Sequence, residues 1–221
     1  MRQIRSRCFL SAAAILALGA WLPAVARAQV LAPASSGSGA QAAAISPADQ
    51  GWVARIQDTL NGITALKGRF QQIAPDGKRS TGTVWLHRPG RMRFEYDKPS
   101  PLLLVAGNGK LVFTDKSVGQ TTDIPLERTP LGLLLQPHLS LSGDVTVTGF
   151  SHANGLVQVT LVKTASPSDG SLTVIMNEQP LSLRGWRVVD AQGRETQVDL
   201  FDVATGVSMP DSLFDTSDSA N

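Results

Sequence analysis

An alternation of apolar and polar side chains runs through most of this chain from Leu66 onward, and it limits the fold more than any other feature. Successive side chains on a strand point to opposite faces, so this alternation predicts strands with one buried face. Turn signals such as Pro75-Asp76-Gly77 and Asn108-Gly109 separate the strands closely. The predicted strands lie at residues 66–73, 80–87, 92–97, 102–106, 111–115, 121–126, 144–150, 156–163, 172–177, 181–189 and 195–203. Many short strands with close turns predict a meandering antiparallel sheet.

Two segments have a different pattern and are predicted to be helices. Ser46-Pro47-Ala48-Asp49 has the form of a capped helix start, and Asn61-Gly62 is expected to end that helix. Between them, one apolar stripe at helical spacing consists of Trp52, Ile56, Leu60 and Ile63. Pro130 to Leu135 breaks the strand alternation and suits a second, short helix.

A single sheet of about ten strands tends to curl, and the two helices can then cover its concave face. Gly68 and Gly82 lie inside predicted strands, where glycine allows the bends that a curled sheet needs. We therefore expect a mainly β protein with a few helices. Its curled antiparallel sheet should form an unclosed (half) β-barrel covered by a helical lid. Barrels of this kind can hold small apolar ligands.

Residues 1–28 have the pattern of a secretory signal peptide. Arg2, Arg5 and Arg7 precede an apolar stretch rich in Ala and Leu, and Ala26-Arg27-Ala28 matches a cleavage site. A membrane anchor is the alternative, but the apolar stretch is too short to span a bilayer. Export to the periplasm with cleavage near Ala28 is therefore predicted.

The rest of the chain is predicted to contain a flexible leader and one domain. Residues 29–45 are rich in Ala, Ser and Gly without periodicity, which is typical of a leader. Residues 46–221 are of single-domain size. Cys8 precedes the apolar stretch of the signal, so no cysteine is predicted to receive a lipid in the exported protein.

Charge and motifs argue against several functional classes. Cleavage removes four of the 20 basic residues and none of the 18 acidic residues, so the net charge becomes −2, and no basic face for nucleic acid is predicted. The histidines lack metal-ligand spacing, and no nucleophile-elbow or P-loop motif is complete. Asp97 and Asp115 could pair as acid and base, but strand-end aspartates are usually solvated turn residues. We expect neither an enzyme nor a bound cofactor.

The remaining candidates for a site are mostly apolar, and each has two interpretations. Leu102 to Ala106 could be a central strand buried on both faces, or it could line a ligand cavity with one face. The run from Leu131 to Leu135 could be an ordinary core helix or part of an apolar lid. Arg88, at a strand end before Pro89, could be exposed, or its donors could bond backbone carbonyls of a lid.

The order and spacing of one set of residues resembles the periplasmic lipoprotein carrier family, LolA. That set is Phe70-Gln71-Gln72, Gly82, Trp85, Arg88-Pro89-Gly90, Phe94, Tyr96, Pro99, Gly109 and Thr129-Pro130. The resemblance extends from about Trp52 to Phe214. It implies an unclosed antiparallel barrel with a helical lid, which collects lipoproteins at the inner membrane and delivers them to the outer membrane.

Carried over by position, the resemblance also implies roles for single residues. Arg88 matches the arginine that bonds the lid shut in the empty form. Met92 falls at a position implicated in accepting cargo, Phe94 at a neighbouring aromatic position, and Leu60 at a lid position that contacts this region. Met92 stands where the family often has an aromatic residue, and methionine is adaptable in apolar sites. The residues predicted to form the acyl cavity and its latch are Trp52, Ile56, Leu60, Arg88, Met92, Phe94, Leu133 and Leu134.

The implied partners are acylated lipoproteins, an inner-membrane ABC transporter that releases them and an outer-membrane receptor that accepts them. No cofactor, no nucleic acid and a monomeric protein are expected. The chain ends soon after Phe214, which implies the absence of a C-terminal extension that some family members have. Two alternatives remain open: a binding protein of the same fold for another lipid or glycolipid, and a lipid-acting enzyme that uses Asp97 or Asp115.

Overall fold

The structure is a computed structural model that describes residues 40–216. The predicted signal peptide and most of the predicted leader lie outside the described residues. Residues 40–45 contain no helix or strand. In this short segment the Ala43 amide donates a 2.8 Å hydrogen bond to the Val147 carbonyl, and Ile45 packs against the core.

Eleven antiparallel strands form one sheet, as the alternation predicts. They are β1 (Ala65–Ile73), β2 (Arg79–His87), β3 (Arg91–Tyr96), β4 (Leu102–Gly107), β5 (Lys110–Asp115), β6 (Gln120–Pro125), β7 (Val145–Ala153), β8 (Leu156–Lys163), β9 (Gly170–Asn177), β10 (Ser182–Asp190) and β11 (Glu195–Thr205). Their order across the sheet is β6-β5-β4-β3-β2-β1-β11-β10-β9-β8-β7. Strands β6 and β7 are therefore the two edges, and the barrel is unclosed.

Two glycines allow this sheet to bend. A Cβ atom on Gly82 would lie 2.2 Å from the Glu95 carbonyl oxygen and 2.6 Å from the Phe70 ring, so only glycine fits there. Next to Gly68, the pairing of β1 with β11 shifts register between Lys67 and Arg69. Such a bulge increases local twist and bends the strand.

Two helices lie on the concave face of the sheet. Helix α1 (Pro47–Gly62) begins after Ser46, whose hydroxyl accepts a 3.2 Å bond from the Asp49 amide. It ends at Gly62, and its buried residues are Ile56 and Leu60, which come from the predicted stripe. Helix α2 (Leu131–Leu134) is a single turn, and short 3₁₀ turns occupy Leu126–Arg128, Pro167–Asp169 and Asp211–Phe214. None of the helices in residues 40–216 is long and apolar enough to cross a membrane.

We define the lid as α1 together with the leucine segment, residues 131–141. Six leucines of this segment join α1 in the main core, with exposed fractions between 0 and 8%: Leu131, Leu133, Leu134, Leu135, Leu139 and Leu141. Opposite them lie inward-facing strand residues such as Phe70, Val84 and Val159. The lid therefore fills much of the concave face with its own apolar side chains.

A separate segment near the C-terminal end of the described residues covers the convex face of β3 and β4. Leu103 and Val105 alternate with the inward-facing Leu104, so they point outward, yet they are 4% and 0% exposed. The Asp211–Phe214 turn packs against this face, and a Cβ atom on Gly107 would lie 2.5 Å from the Phe214 carbonyl oxygen. The convex face of β4 is consequently buried, whereas Leu104 on its concave face is partly exposed.

Candidate functional site

A cleft of about 550 Å³ lies between the edge strand β6 on one side and β10 with β11 on the other. Its apolar wall comes from Phe94 on β3, Leu104 on β4, Leu111 on β5 and Trp186 on β10. The polar residues on its rim are Gln72, Asp123, Arg128, Asp169, Asp190, Gln192 and Arg194. The cleft thus combines an apolar interior with a charged border, as ligand sites for amphipathic molecules do.

The apolar wall continues beyond the lid onto β5 and β6. Phe113 pairs with Leu104 across β4 and β5, and Ile124 pairs with Leu111 across β5 and β6. Directly paired residues share a face, so both side chains belong to the concave surface. Phe113 is 37% exposed and Ile124, which also lines the cleft, is 41% exposed, so an apolar strip at this end of the cleft is uncovered.

Aromatic packing shapes the bottom of the cleft. The Phe94 ring lies 4.7 Å from the Phe70 ring and 6.1 Å from the Trp186 ring, in edge-to-face arrangements. Next to them, the Tyr96 hydroxyl donates a 2.8 Å bond to Gln72 Oε1. Burial raises the pKa of Tyr96 to about 12, so this phenol stays protonated and holds the rim residue Gln72 in place.

A second groove of about 620 Å³ runs along the outer side of the leucine segment. Leu133, Leu135 and the turn residues Pro89 and Gly90 border it. Arg128 and Asp169 line both this groove and the cleft, so the two openings adjoin.

Arg88 joins the lid to the β2–β3 turn from a buried position. Its side chain is 7% exposed, and Nη1 donates a 2.6 Å hydrogen bond to the Leu60 carbonyl oxygen in the last turn of α1. Its backbone amide bonds the Thr64 carbonyl at 2.8 Å, and the nearby Gly90 amide bonds the Leu135 carbonyl at 2.9 Å. This one turn therefore contacts both pieces of the lid.

The electrostatics of Arg88 are unusual for a buried cation. Burial lowers the pKa of its guanidinium, and none of the ion pairs found within residues 40–216 includes it. Its Nε is buried without a hydrogen-bond partner in the described part of the chain. The Leu60 carbonyl lies at the negative end of the α1 dipole, and this partial charge stabilises the Arg88 cation. A buried arginine with so few partners costs folding energy, which makes its position a candidate for function rather than for stability.

Side-chain amides on α1 hold the leucine segment, and sequence reasoning did not identify this contact. Asn61 Nδ2 donates a 2.9 Å bond to the Leu139 carbonyl, while Asn61 Oδ1 accepts a 2.8 Å bond from the Leu139 amide. Gln57 Oε1 accepts a 2.9 Å bond from the Leu141 amide. The sequence analysis assigned Asn61 only to the helix end, because its partner lies 78 residues away.

The structure places the other predicted site residues in three environments. Phe94 lines the cleft, and Leu133 borders the second groove. Four are at most 1% exposed in the core between lid and sheet: Ile56, Leu60, Met92 and Leu134. Trp52 is only partly buried, with its ring 4.9 Å from the His152 ring and 4.1 Å from the Arg55 guanidinium. Leu104, Leu111 and Trp186 were not among the predicted site residues.

The two aspartates considered as an acid–base pair are each bound locally. Asp97 accepts bonds from Arg69 and, at 2.7 Å, from the Thr81 hydroxyl, and these bonds lower its pKa. Asp115 accepts bonds from the backbone and side chain of Ser117, which likewise lower its pKa. Both carboxylates are thus stabilised in the charged form as turn residues. No group of side chains in residues 40–216 is arranged to hold a metal ion.

An unclosed antiparallel barrel, an apolar cleft in its concave face and a lid held by a buried arginine define a protein of the apolar-ligand carrier class. The family model of the outer membrane lipoprotein carrier protein LolA matches residues 61–217. The chain therefore belongs to the LolA family of lipoprotein carriers, whose members act in the periplasm.

Individual relatives agree with this assignment. The outer-membrane lipoprotein carrier protein of Azotobacter vinelandii is 31% identical over 193 residues, which cover 80% of this chain and 89% of the relative. The outer-membrane lipoprotein carrier protein of Methylococcus capsulatus is 27% identical over 169 residues, which cover 72% of this chain and 80% of the relative. A putative outer membrane lipoprotein-sorting protein domain from Vibrio parahaemolyticus has a similar fold. It superposes with a TM-score of 0.51 at 9% identity, over 77% of this chain and 97% of that domain.

Proposed function

We propose that this protein binds the acyl chains of lipoproteins released from the inner membrane, carries them through the periplasm and delivers them to the outer membrane. The observation that carries the proposal is the apolar cleft lined by Phe94, Leu104 and Trp186, which continues into the exposed strip of Phe113 and Ile124. Exposed apolar surface of this kind marks a binding site, because water disfavours it. The charged rim suits the polar part of a lipoprotein.

Transfer energetics explain why such a carrier needs a cavity. Each acyl CH₂ group removed from water contributes about 0.8 kcal/mol, so a chain of roughly fifteen groups contributes on the order of 12 kcal/mol. Release of such a chain into water would be far too slow for transport. Cargo must therefore pass directly from one apolar site to another, and the exposed side chains of Phe113 and Ile124 leave the cleft accessible to a second site.

The lid supplies the control over binding. In the structure, its leucines occupy the concave face, so a long acyl chain needs the lid to move outward. Part of the acyl binding energy is then used to open the lid, and the affinity falls by the same amount. A closing bond between Arg88 and Leu60 favours the empty form, which also keeps apolar surface away from water.

The route of the cargo follows from the compartment. Cleavage of the signal near Ala28 would release the carrier into the periplasm, where an inner-membrane ABC transporter would load it and an outer-membrane receptor would unload it. The chemistry is binding and release of intact lipid, with no covalent step and no cofactor.

The experiment loads the exported protein, residues 29–221, from inner-membrane vesicles that contain an acylated lipoprotein and its releasing transporter. Soluble lipoprotein bound to the carrier is the expected result, followed by its transfer to added outer membranes. The same lipoprotein with its acylated cysteine replaced by serine is the matched control and should not be retained. Mass spectrometry of the lipid that purifies with the carrier tests the alternative, because a glycolipid or free acyl chain without lipoprotein loading would favour a different cargo.

A further inference from the structure

The lid consists of two pieces that are far apart in the chain. Helix α1 ends at Gly62, whereas the leucine segment covers residues 131–141. Both pieces place leucines in the concave core, so both must move before a long acyl chain can fill it. Among residues 40–216, the Arg88 side chain bonds α1 alone, at the Leu60 carbonyl. The turn that holds Arg88 reaches the leucine segment through the backbone bond from Gly90 to Leu135, so an effect of the Arg88 side chain on that segment can pass through this turn or through α1.

Asn61 connects α1 to the leucine segment through a two-bond contact with one residue. Its amide nitrogen donates to the Leu139 carbonyl at 2.9 Å, and its amide oxygen accepts from the Leu139 amide at 2.8 Å. A flipped side-chain amide would face donor with donor and acceptor with acceptor, so the partners determine its orientation. Asn61 thus bonds both backbone groups of Leu139, as a neighbouring β-strand would.

Gln57 extends the same contact by one turn. It lies four residues before Asn61, on the same side of α1, and accepts a 2.9 Å bond from the Leu141 amide. Leu139 is 0% exposed and Leu141 is 8% exposed, so these bonds lie in apolar surroundings. Moving α1 alone would leave buried backbone groups of Leu139 and Leu141 without partners, which is unfavourable.

We propose that Asn61 is a positioning residue that couples α1 to the leucine segment, so that loss of the Arg88–Leu60 bond opens both pieces together. Gln57 supports this coupling with one further bond. The inference rests on the latch role proposed above for Arg88. It goes further because it assigns the movement of the second lid piece to Asn61, whose side-chain bonds go to Leu139 and which is not among the residues that line the cleft.

Hydrogen–deuterium exchange of the cargo-free protein tests the coupling. Four proteins are compared: wild type, Arg88→Leu, Asn61→Ala and the double variant. The readouts are the α1 amides and the amides of Leu133 and Leu135, which bond carbonyls of Pro130 and Gly132 rather than Asn61. Amides of β8 report global unfolding, and Leu139 and Leu141 are excluded because their partners are removed directly. Asp58→Ala, on the exposed side of α1, is the control.

In the protein that retains Asn61, Arg88→Leu should speed exchange in α1 and at Leu133 and Leu135 by the same factor, roughly tenfold. In the Asn61→Ala background, Arg88→Leu should still speed exchange of the α1 amides by that factor. The exchange rates of the Leu133 and Leu135 amides should then stay nearly unchanged. Equal acceleration of both pieces in that background would overturn the coupling. Acceleration of neither piece by Arg88→Leu would instead overturn the latch, so the two failures are distinct.

A second variant keeps the proposal testable if Asn61→Ala folds poorly. Asn61→Asp retains the acceptor for the Leu139 amide but loses the donor to its carbonyl. Arg88→Leu in this background should accelerate Leu133 and Leu135 by less than in wild type and more than in Asn61→Ala. A response identical to wild type would contradict the role of the two-bond contact. With Asp58→Ala the response should equal that of wild type.

Discussion

The carbonyl oxygen of Leu60 accepts two hydrogen bonds, one from Arg88 Nη1 at 2.6 Å and one from the Ile63 amide at 3.1 Å. The second bond caps α1 within the helix itself, whereas the first ties the helix to the β2–β3 turn. The carbonyl keeps its bond from the Ile63 amide when Arg88 moves away. Opening the lid therefore leaves no unsatisfied acceptor at the end of the helix. This arrangement suits a bond that forms and breaks repeatedly.

Replacing Arg88 by leucine should impair release of cargo more than uptake. The bond to Leu60 exists only in the closed form, so its loss should destabilise that form by about 1–3 kcal/mol and leave the loaded form unchanged. The equilibrium then shifts toward loaded carrier by the same amount. Counting lipoprotein on the purified variant, before and after addition of outer membranes, measures the effect.

Arg79→Leu is the matched control for this experiment, since Arg79 is an exposed arginine at the end of β2 far from the turn that holds Arg88. It should load and deliver cargo as wild type does. Normal delivery by Arg88→Leu would contradict the latch hypothesis.

The sheet could be predicted closely from sequence because strand alternation is a local property. Strand β8 was predicted at residues 156–163 and occupies those residues, and the helix predicted at 130–135 appears as α2 at Leu131–Leu134. The start of α1 was also predictable, since the cap of Ser46 and Asp49 depends on neighbours in sequence. The unclosed barrel was confirmed for the same reason, as it follows from the number of short strands and their turns.

Contacts between distant residues could not be predicted. The burial of Val105 on the convex face depends on a turn at residues 211–214, and nothing local to β4 indicates that cover. Trp186 joins Phe94 in the cleft only after the sheet has curled. The Asn61–Leu139 contact is of the same kind. For Leu104, one of the two interpretations named a cavity, and its side chain lines the cleft.

Replacing Gly82 by alanine should destabilise the fold. The new Cβ atom would meet the Glu95 carbonyl oxygen at 2.2 Å and the buried Phe70 ring at 2.6 Å, and neither can yield easily. Overpacking of this kind typically costs about 1–3 kcal/mol. Urea unfolding followed by tryptophan fluorescence measures the change in the free energy of unfolding.

Gly51→Ala is the control for Gly82→Ala, and it should raise the free energy of unfolding rather than lower it. Gly51 lies inside α1, is exposed and has no heavy atom within 4 Å of an added Cβ atom. Alanine loses less backbone entropy than glycine in a helix, so this variant should gain roughly 0.5–1 kcal/mol. A Gly82→Ala variant as stable as wild type would show that the bend does not require glycine.

Stability should fall in acid partly because of Asp97. Bonds from Arg69 and Thr81 hold the pKa of its carboxyl below the ordinary value in the folded protein. A lowered folded pKa stabilises the protein above the unfolded pKa, near 4, and this contribution is lost as the pH falls through the folded pKa. Asp97→Asn should therefore be less stable than wild type at neutral pH, and the two should converge as the pH falls through the folded pKa of Asp97.

Thermal unfolding of both proteins between pH 2 and pH 7, at low salt, checks the pH prediction. Asp58→Asn changes the same charge on the exposed side of α1, outside the Arg69–Thr81 contact, and is the control. A stability difference between wild type and Asp97→Asn that stays constant across this range would show that the Arg69 and Thr81 bonds do not act through ionisation.

Glutamate at Leu104 and glutamate at Met92 should have different effects, because one position lines the cleft and the other lies in the core. Leu104 is partly exposed and lines the cleft, whereas Met92, on the neighbouring strand, is 1% exposed beneath the lid. Leu104→Glu should fold, because its carboxylate can reach water, but it should weaken binding of an apolar fluorescent dye by roughly tenfold or more. Met92→Glu should lower the free energy of unfolding by several kcal/mol, since its carboxylate would be buried without a partner.

Phe201→Glu is the control for the dye experiment. Phe201 pairs with Arg69 on the convex face and is 42% exposed, so its replacement leaves the cleft intact. Dye affinity should equal that of wild type, which would show that added negative charge alone does not repel the dye. If folded Leu104→Glu bound the dye with unchanged affinity, the acyl site would have to lie outside the cleft, since a carboxylate in its wall removes the apolar surface that an acyl chain requires.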